Sequence, residues 1–315
     1  MVEKNSTVAF VFPGQGSQAV GMLGDLAIDY PQIKDTFNEA SEALNRDLWA
    51  LSQDGPIADL NMTENTQPLV LTAGVAMWRV IQSKLGLLPA FMAGHSLGEY
   101  TALVCSGALD FVDAVQLVEK RAQYMQQAVP KGVGSMAAIL GVELEELIKI
   151  CDLAAEGEVV SPVNLNAPGQ IVIAGNVAAV ERAMVASKEA GAKRTLPLPV
   201  SVPSHCSLMN PAAEKLTDTL ATIEISTPAT TVLHNTDVES HQLMADIKLA
   251  LAKQLYTPVR WTETIESFAH QGVNTVVECG PGKVLSGLTK RINKELVGYS
   301  TGDIRSFDKT MEALS

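Results

Sequence analysis

The sequence lacks the features that would mark a membrane, secreted or metal-binding protein. No apolar run reaches the roughly 18 residues that a membrane span needs, because charged residues interrupt every candidate. The first residues lead straight into a predicted strand, without the apolar core of a signal peptide. The four cysteines are scattered and show neither C-x-x-C spacing nor a zinc pattern. We therefore expect a cytoplasmic protein with reduced thiols, no metal and no membrane partner.

Positive charge is also scarce. The 315 residues include 23 Lys and Arg against 35 Asp and Glu, which gives a net charge of −12. This balance argues against nucleic acid and anionic membranes as partners. With 47% hydrophobic and 18% charged residues, the chain can bury a large core and has the length of about two domains.

The most informative motif is G-x-S-x-G at positions 94–98, where the sequence is Gly-His-Ser-Leu-Gly. A short apolar run precedes it, and a helical pattern begins at Glu99. In such a strand–turn–helix context the motif is a nucleophile elbow, whose glycines allow a sharp turn that exposes the serine hydroxyl. Ser96 is therefore the candidate nucleophile, and the backbone amide of Leu97 is a candidate oxyanion donor.

A second glycine-rich segment, Gly-Gln-Gly-Ser-Gln-Ala at 14–19, nearly satisfies a dinucleotide-binding fingerprint. That interpretation needs a second strand ending in an acid about 20 residues later, where this sequence has a proline-interrupted helical pattern. A loop that presents the backbone amide of Gln15 to a developing oxyanion fits better. The alternative is that these glycines only allow a tight turn.

A serine nucleophile needs a base, and the sequence offers five histidines. His95 lies inside the elbow, where we expect its side chain to point away from the direction of attack by Ser96. His205 follows Val-Pro-Ser in a loop at a predicted domain junction, where a base could be held over a cleft. Position alone therefore favours His205, while the remaining histidines stay alternatives in ordinary strand and helix contexts.

Arg121 lies on a helix predicted for 110–127, which Asp110 would cap. An exposed helix arginine is the simpler interpretation from the residues alone. The alternative is a guanidinium that binds a substrate carboxylate through two parallel hydrogen bonds.

The order of predicted elements indicates an α/β fold with a parallel sheet. Between residues 131 and 203 the pattern changes to β-α-β-β-α-β, the ferredoxin-like order. We expect a hydrolase-like parallel-sheet core with the nucleophile elbow, formed by 1–130 and 204–315, and an inserted ferredoxin-like small domain at 131–203. A last helix is predicted at 283–296, followed by a loosely held tail at 297–315.

Four ordered motifs show a resemblance to a known family. F-P-G-Q-G-S-Q at 12–18, G-H-S-L-G-E-Y at 94–100, V-P-S-H at 202–205 and E-C-G-P-G at 278–282 stand in the order and approximate spacing of the malonyl-CoA:acyl carrier protein transacylases. The chain resembles most closely the discrete bacterial enzymes of type II fatty acid synthesis, over residues 7–296. The segment 202–205 differs from the motif of malonyl-specific polyketide synthase modules and is similar to that of the stand-alone enzymes.

The resemblance implies that Ser96 carries the acyl group and that His205 is its base. It implies that a backbone carbonyl near Gln254, and no aspartate, orients His205, so that the pair is a dyad. It places the oxyanion on the amides of Gln15 and Leu97 and the malonyl carboxylate on Arg121. The candidate substrate-binding residues are Arg121, Asn164, Asn166, Gln254 and His95.

The implied activity is transfer of malonyl from malonyl-CoA to acyl carrier protein through a malonyl-serine, with no metal or other cofactor. The partners expected are malonyl-CoA and acyl carrier protein, and the protein is expected to be a monomer. A thioesterase or lipase-like hydrolase is the first alternative, and a non-catalytic module that docks a carrier protein is the second.

Carrier proteins of this pathway are acidic, so docking to a chain of net charge −12 requires a local basic patch. Two candidate patches are present, although each could be only a solvated face. They are Lys283, Lys290, Arg291 and Lys294 on the last predicted helix, and Lys193 with Arg194.

Overall fold

The computed structural model describes residues 4–200 and 202–315. The elements of the first part follow one another as β1 (Lys4–Phe12), α1 (Gly24–Asp29), α2 (Gln32–Leu44), α3 (Leu48–Asp54), α4 (Ile57–Leu60), α5 (Thr63–Leu85), β2 (Leu88–Gly94), α6 (Gly98–Cys105) and α7 (Phe111–Ala128). The predicted N-cap of α7 is confirmed, because Asp110 Oδ1 accepts the N–H groups of Val112 and Asp113 at 2.9 and 3.1 Å.

The middle of the chain forms a separate four-stranded antiparallel sheet with two helices. Its elements are β3 (Gly134–Leu140), α8 (Leu144–Ala155), β4 (Val160–Ala167), β5 (Gln170–Asn176), α9 (Val177–Glu189) and β6 (Arg194–Pro197). The strand order β4-β5-β3-β6 is the ferredoxin-like one, so this part of the predicted fold class is confirmed. The exact limits of the two domains, 1–130 with 204–315 and 131–203, stay a prediction.

The last part of the chain returns to the first sheet. After a 3₁₀ turn at Ser207–Met209, its elements are α10 (Asn210–Ala221), β7 (Thr231–Leu233), α11 (Met244–Gln254), α12 (Trp261–His270), β8 (Thr275–Glu278), α13 (Val284–Ile292), β9 (Val297–Ser300) and α14 (Ile304–Leu314). The five strands are ordered β7-β2-β1-β8-β9, and every pairing between them is parallel. The predicted parallel-sheet core is therefore confirmed.

The central strand β1 is buried on both faces, as parallel strands covered by helices are. Phe10 and Phe12 pack into the larger cluster on one face, while Ala9 and Val11 pack into a second cluster with helices α12 and α13 on the other. Because β1 and β2 are parallel neighbours, their carboxyl ends meet at the same edge. The loops that follow Phe12 and Gly94 therefore lie side by side.

The expectation of a loosely held tail at 297–315 is wrong. Strand β9 pairs with β8, and α14 packs Phe307 into the core with only 1% of its surface exposed. The Phe307 ring meets the Tyr30 ring edge-on at 5.2 Å. Asp303 caps α14 by accepting the N–H of Ser306 at 2.9 Å. The helix predicted at 283–296 also ends earlier, at Ile292, and it is not the last one.

The two sheets are joined directly beside the loops at the carboxyl edge. The N–H of Leu165 donates to the Val259 carbonyl at 3.0 Å, and the N–H of Val259 donates to the Val163 carbonyl at 2.8 Å. These bonds extend β4 with a segment of the larger part of the chain, so the small sheet stands over the elbow. Within the part of the chain that the structure describes, no helix has the length and apolar character needed to cross a membrane.

Candidate active site

The predicted elbow forms between β2 and α6. Ser96 adopts a left-handed backbone conformation with φ 53°, which is rare for a residue other than glycine and costs about 1–3 kcal/mol. The flanking glycines are required by contact: a Cβ on Gly98 would lie 2.0 Å from the Phe12 carbonyl oxygen, and one on Gly94 would lie 1.8 Å from the carbonyl carbon of Gly98. The two glycines therefore allow the backbones of β1, β2 and α6 to meet, and this close contact holds the strained turn at Ser96.

Ser96 and His205 lie within hydrogen-bond distance, with the Ser96 Oγ 2.8 Å from His205 Nε2. The other ring nitrogen, Nδ1, lies 2.7 Å from the carbonyl oxygen of Gln254. Since a carbonyl only accepts, Nδ1 carries the proton and Nε2 is left to accept the serine proton. A carbonyl thus occupies the place where a triad would have a carboxylate.

His205 is held in its neutral form. It is 3% exposed, its backbone φ is 67°, and its N–H donates to the Leu255 carbonyl at 2.9 Å. Burial, and then the positive charge of Arg121, lower the pKa of His205 to about 3. At neutral pH the side chain is therefore a base ready to accept a proton.

Arg121 is buried, with 1% of its surface exposed, and it points at the nucleophile. One guanidinium nitrogen, Nη2, donates to the Ser96 Oγ at 3.2 Å and to the Gln254 Oε1 at 2.8 Å. The other, Nη1, donates to the Gln67 Oε1 at 2.7 Å, while Nε is buried and has no partner among the described residues. Burial lowers the pKa of Arg121 from its usual 12.5. The exposed-arginine interpretation is therefore wrong, because α7 turns this residue inward.

The two candidate oxyanion donors line the same cavity as Ser96. Within residues 4–200 and 202–315, neither the Gln15 N–H nor the Leu97 N–H donates to another backbone group. The Gln15 side chain is held to one side, where its Oε1 accepts the Thr63 hydroxyl at 2.7 Å. Gly14 is needed for the approach of the two loops, since a Cβ there would lie 2.5 Å from the His95 carbonyl oxygen.

Three of the other candidates lie where the elbow meets the small sheet. His95 Nε2 bonds to Asn166 Oδ1 at 2.8 Å, and the His95 ring lies 5.4 Å from the Trp261 ring. Burial lowers the pKa of His95, so this ring is also neutral. Asn164 lines the cavity, and its Oδ1 is buried without a partner in the described part of the chain. Asn164 therefore offers an acceptor to the cavity, whereas Asn166 stands behind His95.

The cavity lies between the elbow and the small sheet and has a volume of about 110 Å³. One side is polar and holds the dyad, Arg121 and the two amides. The opposite side is apolar, and its residues come from α7, the small sheet and the segment before His205: Met125, Met136, Leu198, Val200 and Val202. Among residues 4–200 and 202–315, no group of three His, Cys, Asp or Glu side chains could hold a metal ion.

Polar residues that the sequence does not single out lie behind the nucleophile. Glu99, His234 and Asn235 are fully buried, and His234, which the sequence places in an ordinary context, bonds to Glu99 Oε1 at 2.7 Å. Asn235 Oδ1 accepts the N–H of Ser96 at 2.8 Å. A signal was present for Gln67, a polar residue on the apolar face of a long helix, and for Glu99, one turn after the nucleophile.

Comparison with known proteins agrees with this geometry. Residues 9–303 match the acyl transferase domain family. A malonyl CoA-acyl carrier protein transacylase of Salmonella typhimurium is 60% identical over 284 residues, which is 90% of this chain and 92% of that protein. A crystal structure of an acyl carrier protein S-malonyltransferase from Vibrio cholerae is 60% identical, with a TM-score of 0.94 over 96% of this chain and 99% of the other.

A third similar structure includes a partner. It is a malonyl-transacylase in complex with a type II polyketide synthase acyl-carrier protein, PlMCAT:AntF. It is 54% identical, with a TM-score of 0.96 over 97% of this chain and 99% of that chain.

Proposed function

This chain belongs to the acyl transferase domain family, and from that membership we propose that it transfers malonyl groups from malonyl-CoA to acyl carrier protein. It is then an S-malonyltransferase of fatty acid synthesis. The observation that supports this most strongly is the position of one atom, Ser96 Oγ, which lies 2.8 Å from His205 Nε2 and 3.2 Å from Arg121 Nη2. A nucleophile, a neutral base and a cation for a carboxylate meet at that point.

In the first half-reaction, Ser96 Oγ attacks the thioester carbon of malonyl-CoA while its proton passes to His205 Nε2. The oxyanion that forms lies against the N–H groups of Gln15 and Leu97, each worth roughly 3 kcal/mol of transition-state stabilisation. The carbon–sulfur bond then breaks, and His205 returns the proton so that coenzyme A leaves as a thiol. The product is malonyl-Ser96.

The second half-reaction reverses these steps with a different thiol. The phosphopantetheine thiol of acyl carrier protein gives its proton to His205 and attacks the malonyl-serine ester. The oxyanion uses the same two amides, and Ser96 Oγ recovers the proton as the ester bond breaks. Double displacement through one site gives ping-pong kinetics.

Arg121 is the residue we assign to substrate choice. Its Nη2 donates to Ser96 Oγ in the free enzyme, and its Nε–H has no protein partner. After acylation the malonyl carboxylate lies close to this guanidinium and can take these N–H groups. Asn164 Oδ1 offers a further acceptor for an N–H of the incoming substrate. His95, Asn166 and Gln254 support the site from behind, through the bonds described above.

We further propose where the carrier protein docks. One residue of the first basic patch, Arg291, and both residues of the second, Lys193 and Arg194, line one cavity of about 390 Å³. The turns at Gly141 and Gly169 complete it, and Glu143 is the one acid among its lining residues. We name this surface the basic groove. Arg291 on α13 also bonds to Gln170 on the small sheet, so the groove lies between the small sheet and α13. An acidic carrier protein fits its charge.

The setting of the protein is also a proposal. Four free cysteines favour a reducing compartment, the cytoplasm. A net charge of −12 argues against nucleic acid and anionic membranes as partners. We propose that the protein acts as a monomer and that the reaction needs no metal or other cofactor, since serine, histidine and backbone amides supply each step.

The proposed function is tested by following malonyl-CoA with and without holo acyl carrier protein. We expect malonyl on the carrier thiol when the carrier is present and only slow loss of malonyl-CoA when it is absent. Rapid release of free coenzyme A and malonate without a carrier would indicate a hydrolase instead. No turnover in either case, with the carrier still bound, would indicate a docking module.

A further inference from the structure

Glu99 is a fully buried carboxylate on α6 that takes no part in the reaction steps above. Its Oε2 accepts the N–H of Asn235 and an N–H of Gln254 Nε2, both at 2.9 Å, and its Oε1 lies 2.7 Å from His234 Nδ1. We propose that Glu99 is a positioning residue that fixes the amide orientations around the nucleophile. This inference rests on the proposed function, because it concerns the geometry of the same reaction.

Glu99 contacts the backbone N–H of Asn235 and the side-chain amide of Gln254, and the side chains of these two residues hold the strained Ser96 from both sides of its backbone. Asn235 Oδ1 accepts the Ser96 N–H at 2.8 Å, and Gln254 Nε2 donates to the Ser96 carbonyl at 2.9 Å. Asn235 Nδ2 also donates to the Gly94 carbonyl at 2.7 Å. A left-handed φ at a serine persists only where its surroundings over-determine it. These three bonds supply that constraint.

A carboxamide can turn about its last bond and exchange its oxygen and nitrogen, which would exchange acceptor and donor. A carboxylate only accepts, so Glu99 Oε2 requires that Gln254 present Nε2 to it. The Gln254 Oε1 must then face Arg121 Nη2, where it accepts at 2.8 Å. Glu99 thereby determines which end of Gln254 meets Arg121.

The same residue reaches the base. The backbone carbonyl of Gln254 accepts the His205 Nδ1 proton at 2.7 Å, so a shift of Gln254 moves His205 as well as Arg121. Burial lowers the pKa of Arg121, while Tyr100 and then the Glu99 carboxylate act in the opposite direction. Through Gln254, the Glu99 carboxylate thus acts on all three groups of the site, which are Ser96, His205 and Arg121.

His234 completes the arrangement on the far side of the carboxylate. Its Nδ1 faces Glu99 Oε1, while its Nε2 is buried with no partner in the described residues. A proton on Nδ1 satisfies Glu99 and leaves Nε2 as a bare acceptor, whereas a proton on Nε2 would bury an unpaired donor. Since a carboxylate only accepts, His234 Nδ1 is the donor to Oε1, so both oxygens of Glu99 are occupied by N–H groups.

The substitution Glu99→Gln keeps the shape of the side chain but replaces one acceptor oxygen with an NH₂ donor. A glutamine has one oxygen for three donors, so its NH₂ group must face either His234 or the pair formed by Asn235 and Gln254. We expect single-turnover loading of Ser96 by malonyl-CoA to slow by roughly 10²-fold, the scale of a misplacement of about 1 Å. Gln254→Ala keeps the backbone carbonyl, loses the side-chain contacts and should slow loading by a similar factor.

The decisive measurement is a double-mutant cycle between these two positions in the loading step, which needs no carrier protein. If Glu99 acts through Gln254, the double variant loads about as slowly as the slower single variant. Independent losses that multiply to roughly 10⁴-fold would overturn the proposal. Glu278→Gln is the matched control, since Glu278 is the other buried acid among the described residues and bonds to Ser286 N on α13; its effect should multiply with that of Gln254→Ala.

Thermal unfolding of each variant shows that the measured rates refer to folded protein. Should Glu99→Gln fail to fold, Glu99→Asp goes through the same cycle, because it keeps the charge and withdraws it by one methylene. The outcome is separate from that of the proposed function, which fails only when the wild-type protein does not transfer malonyl. If the wild-type protein transfers malonyl but the losses at Glu99 and Gln254 multiply, this inference fails and the proposed function stands.

Discussion

At the scale of single residues, Arg121 has to be both buried and positively charged. Three of its bonds satisfy neutral acceptors, Gln67 Oε1, Gln254 Oε1 and Ser96 Oγ, and none is to a carboxylate. Burying a charge without an opposite partner is costly. A malonyl group brings the missing carboxylate, while an acetyl group leaves the guanidinium with neutral partners only.

Arg121→Ala therefore separates substrate choice from chemistry. A charge-assisted bond of this kind is worth about 1.5–3 kcal/mol, and an unsatisfied buried charge adds to the discrimination. We expect malonyl transfer to fall steeply and acetyl transfer to be kept or to improve, a shift in selectivity of roughly 10²-fold. Arg121→Lys should restore only part of the preference for malonyl, since a point charge cannot reproduce the bidentate contact of a guanidinium.

The measurement is kcat/KM for malonyl-CoA and acetyl-CoA in each variant. Arg79→Ala is the control, because Arg79 on the neighbouring α5 pairs with Glu39 outside the site and should leave the ratio of the two substrates unchanged. An equal loss for malonyl and acetyl in Arg121→Ala would make this residue structural, with the carboxylate bound elsewhere.

His205 leads to a prediction about pH. Only its neutral form accepts the Ser96 proton, and a pKa of about 3 keeps it neutral far below the usual 6.5. Loading under single-turnover conditions should thus stay level between about pH 8 and about pH 5, whereas an unperturbed histidine would lose most of its activity over this range. A midpoint near 6.5 in the loading rate would show that His205 is not the buried base described here.

At the scale of elements, the elbow depends on backbone contact between β1 and α6. Gly98→Ala places a methyl group 2.0 Å from the Phe12 carbonyl oxygen, so the helix and the strand must separate. We expect a loss of about 1–3 kcal/mol in the free energy of unfolding, together with a large fall in loading because Ser96 moves.

Gly287→Ala is the matched control on α13, where an added Cβ meets nothing within 4 Å. Alanine in a helix interior should raise stability by about 0.5–1 kcal/mol and leave loading unchanged. Chemical unfolding and burst release of coenzyme A measure the two effects. Wild-type loading in Gly98→Ala would contradict the tight elbow.

Local pattern was enough to predict the elements with strong periodicity. The elbow, the cap of α7 by Asp110 and the β-α-β-β-α-β order all depend on residues close together in the chain, and the structure has each of them. Local pattern does not predict that α14 is held in place, because its burial depends on contact with Tyr30, far away in the sequence. A short amphipathic segment at the end of a chain gives no local sign of that partner.

The same distinction explains the site. Ser96 lies in a motif with its own local geometry, so the sequence reveals it. Two other bonded pairs join residues that are far apart in the sequence: 135 positions separate Glu99 from His234, and 54 separate Gln67 from Arg121. The sequence around a buried polar residue does not indicate which distant residue it bonds to. Their roles follow only from the packing of α5, α6, α7 and the end of β7 around the elbow.

At the scale of the whole molecule, charge distribution governs the meeting of enzyme and carrier. A chain of net charge −12 repels an acidic partner except where the basic groove faces it. Reversing Lys193 and Arg291 together to Glu should raise the KM for acyl carrier protein roughly 10-fold at low salt, with a smaller effect as ionic strength rises. Loading by malonyl-CoA should not change, because neither side chain lines the cavity at Ser96.

Lys34→Glu together with Lys309→Glu is the control, since it also reverses two positive charges, and both lysines are exposed and lie outside the groove. Lys290, which the sequence grouped with Arg291, does not line the groove and should matter less. An unchanged KM for the carrier in the double reversal at low salt would exclude this surface as the docking site.

The most direct measurement of the central claim is the intact mass of the protein after incubation with malonyl-CoA, before and after holo acyl carrier protein is added. We expect the wild-type chain to gain one malonyl group and to lose it to the carrier, whose mass rises by the same amount. Ser96→Ala, which replaces a small polar side chain without adding volume, should fold and gain nothing. A malonyl adduct on Ser96→Ala, or a wild-type adduct that is released to water and not to the carrier, would contradict the assignment of Ser96 as the nucleophile of a malonyl transferase.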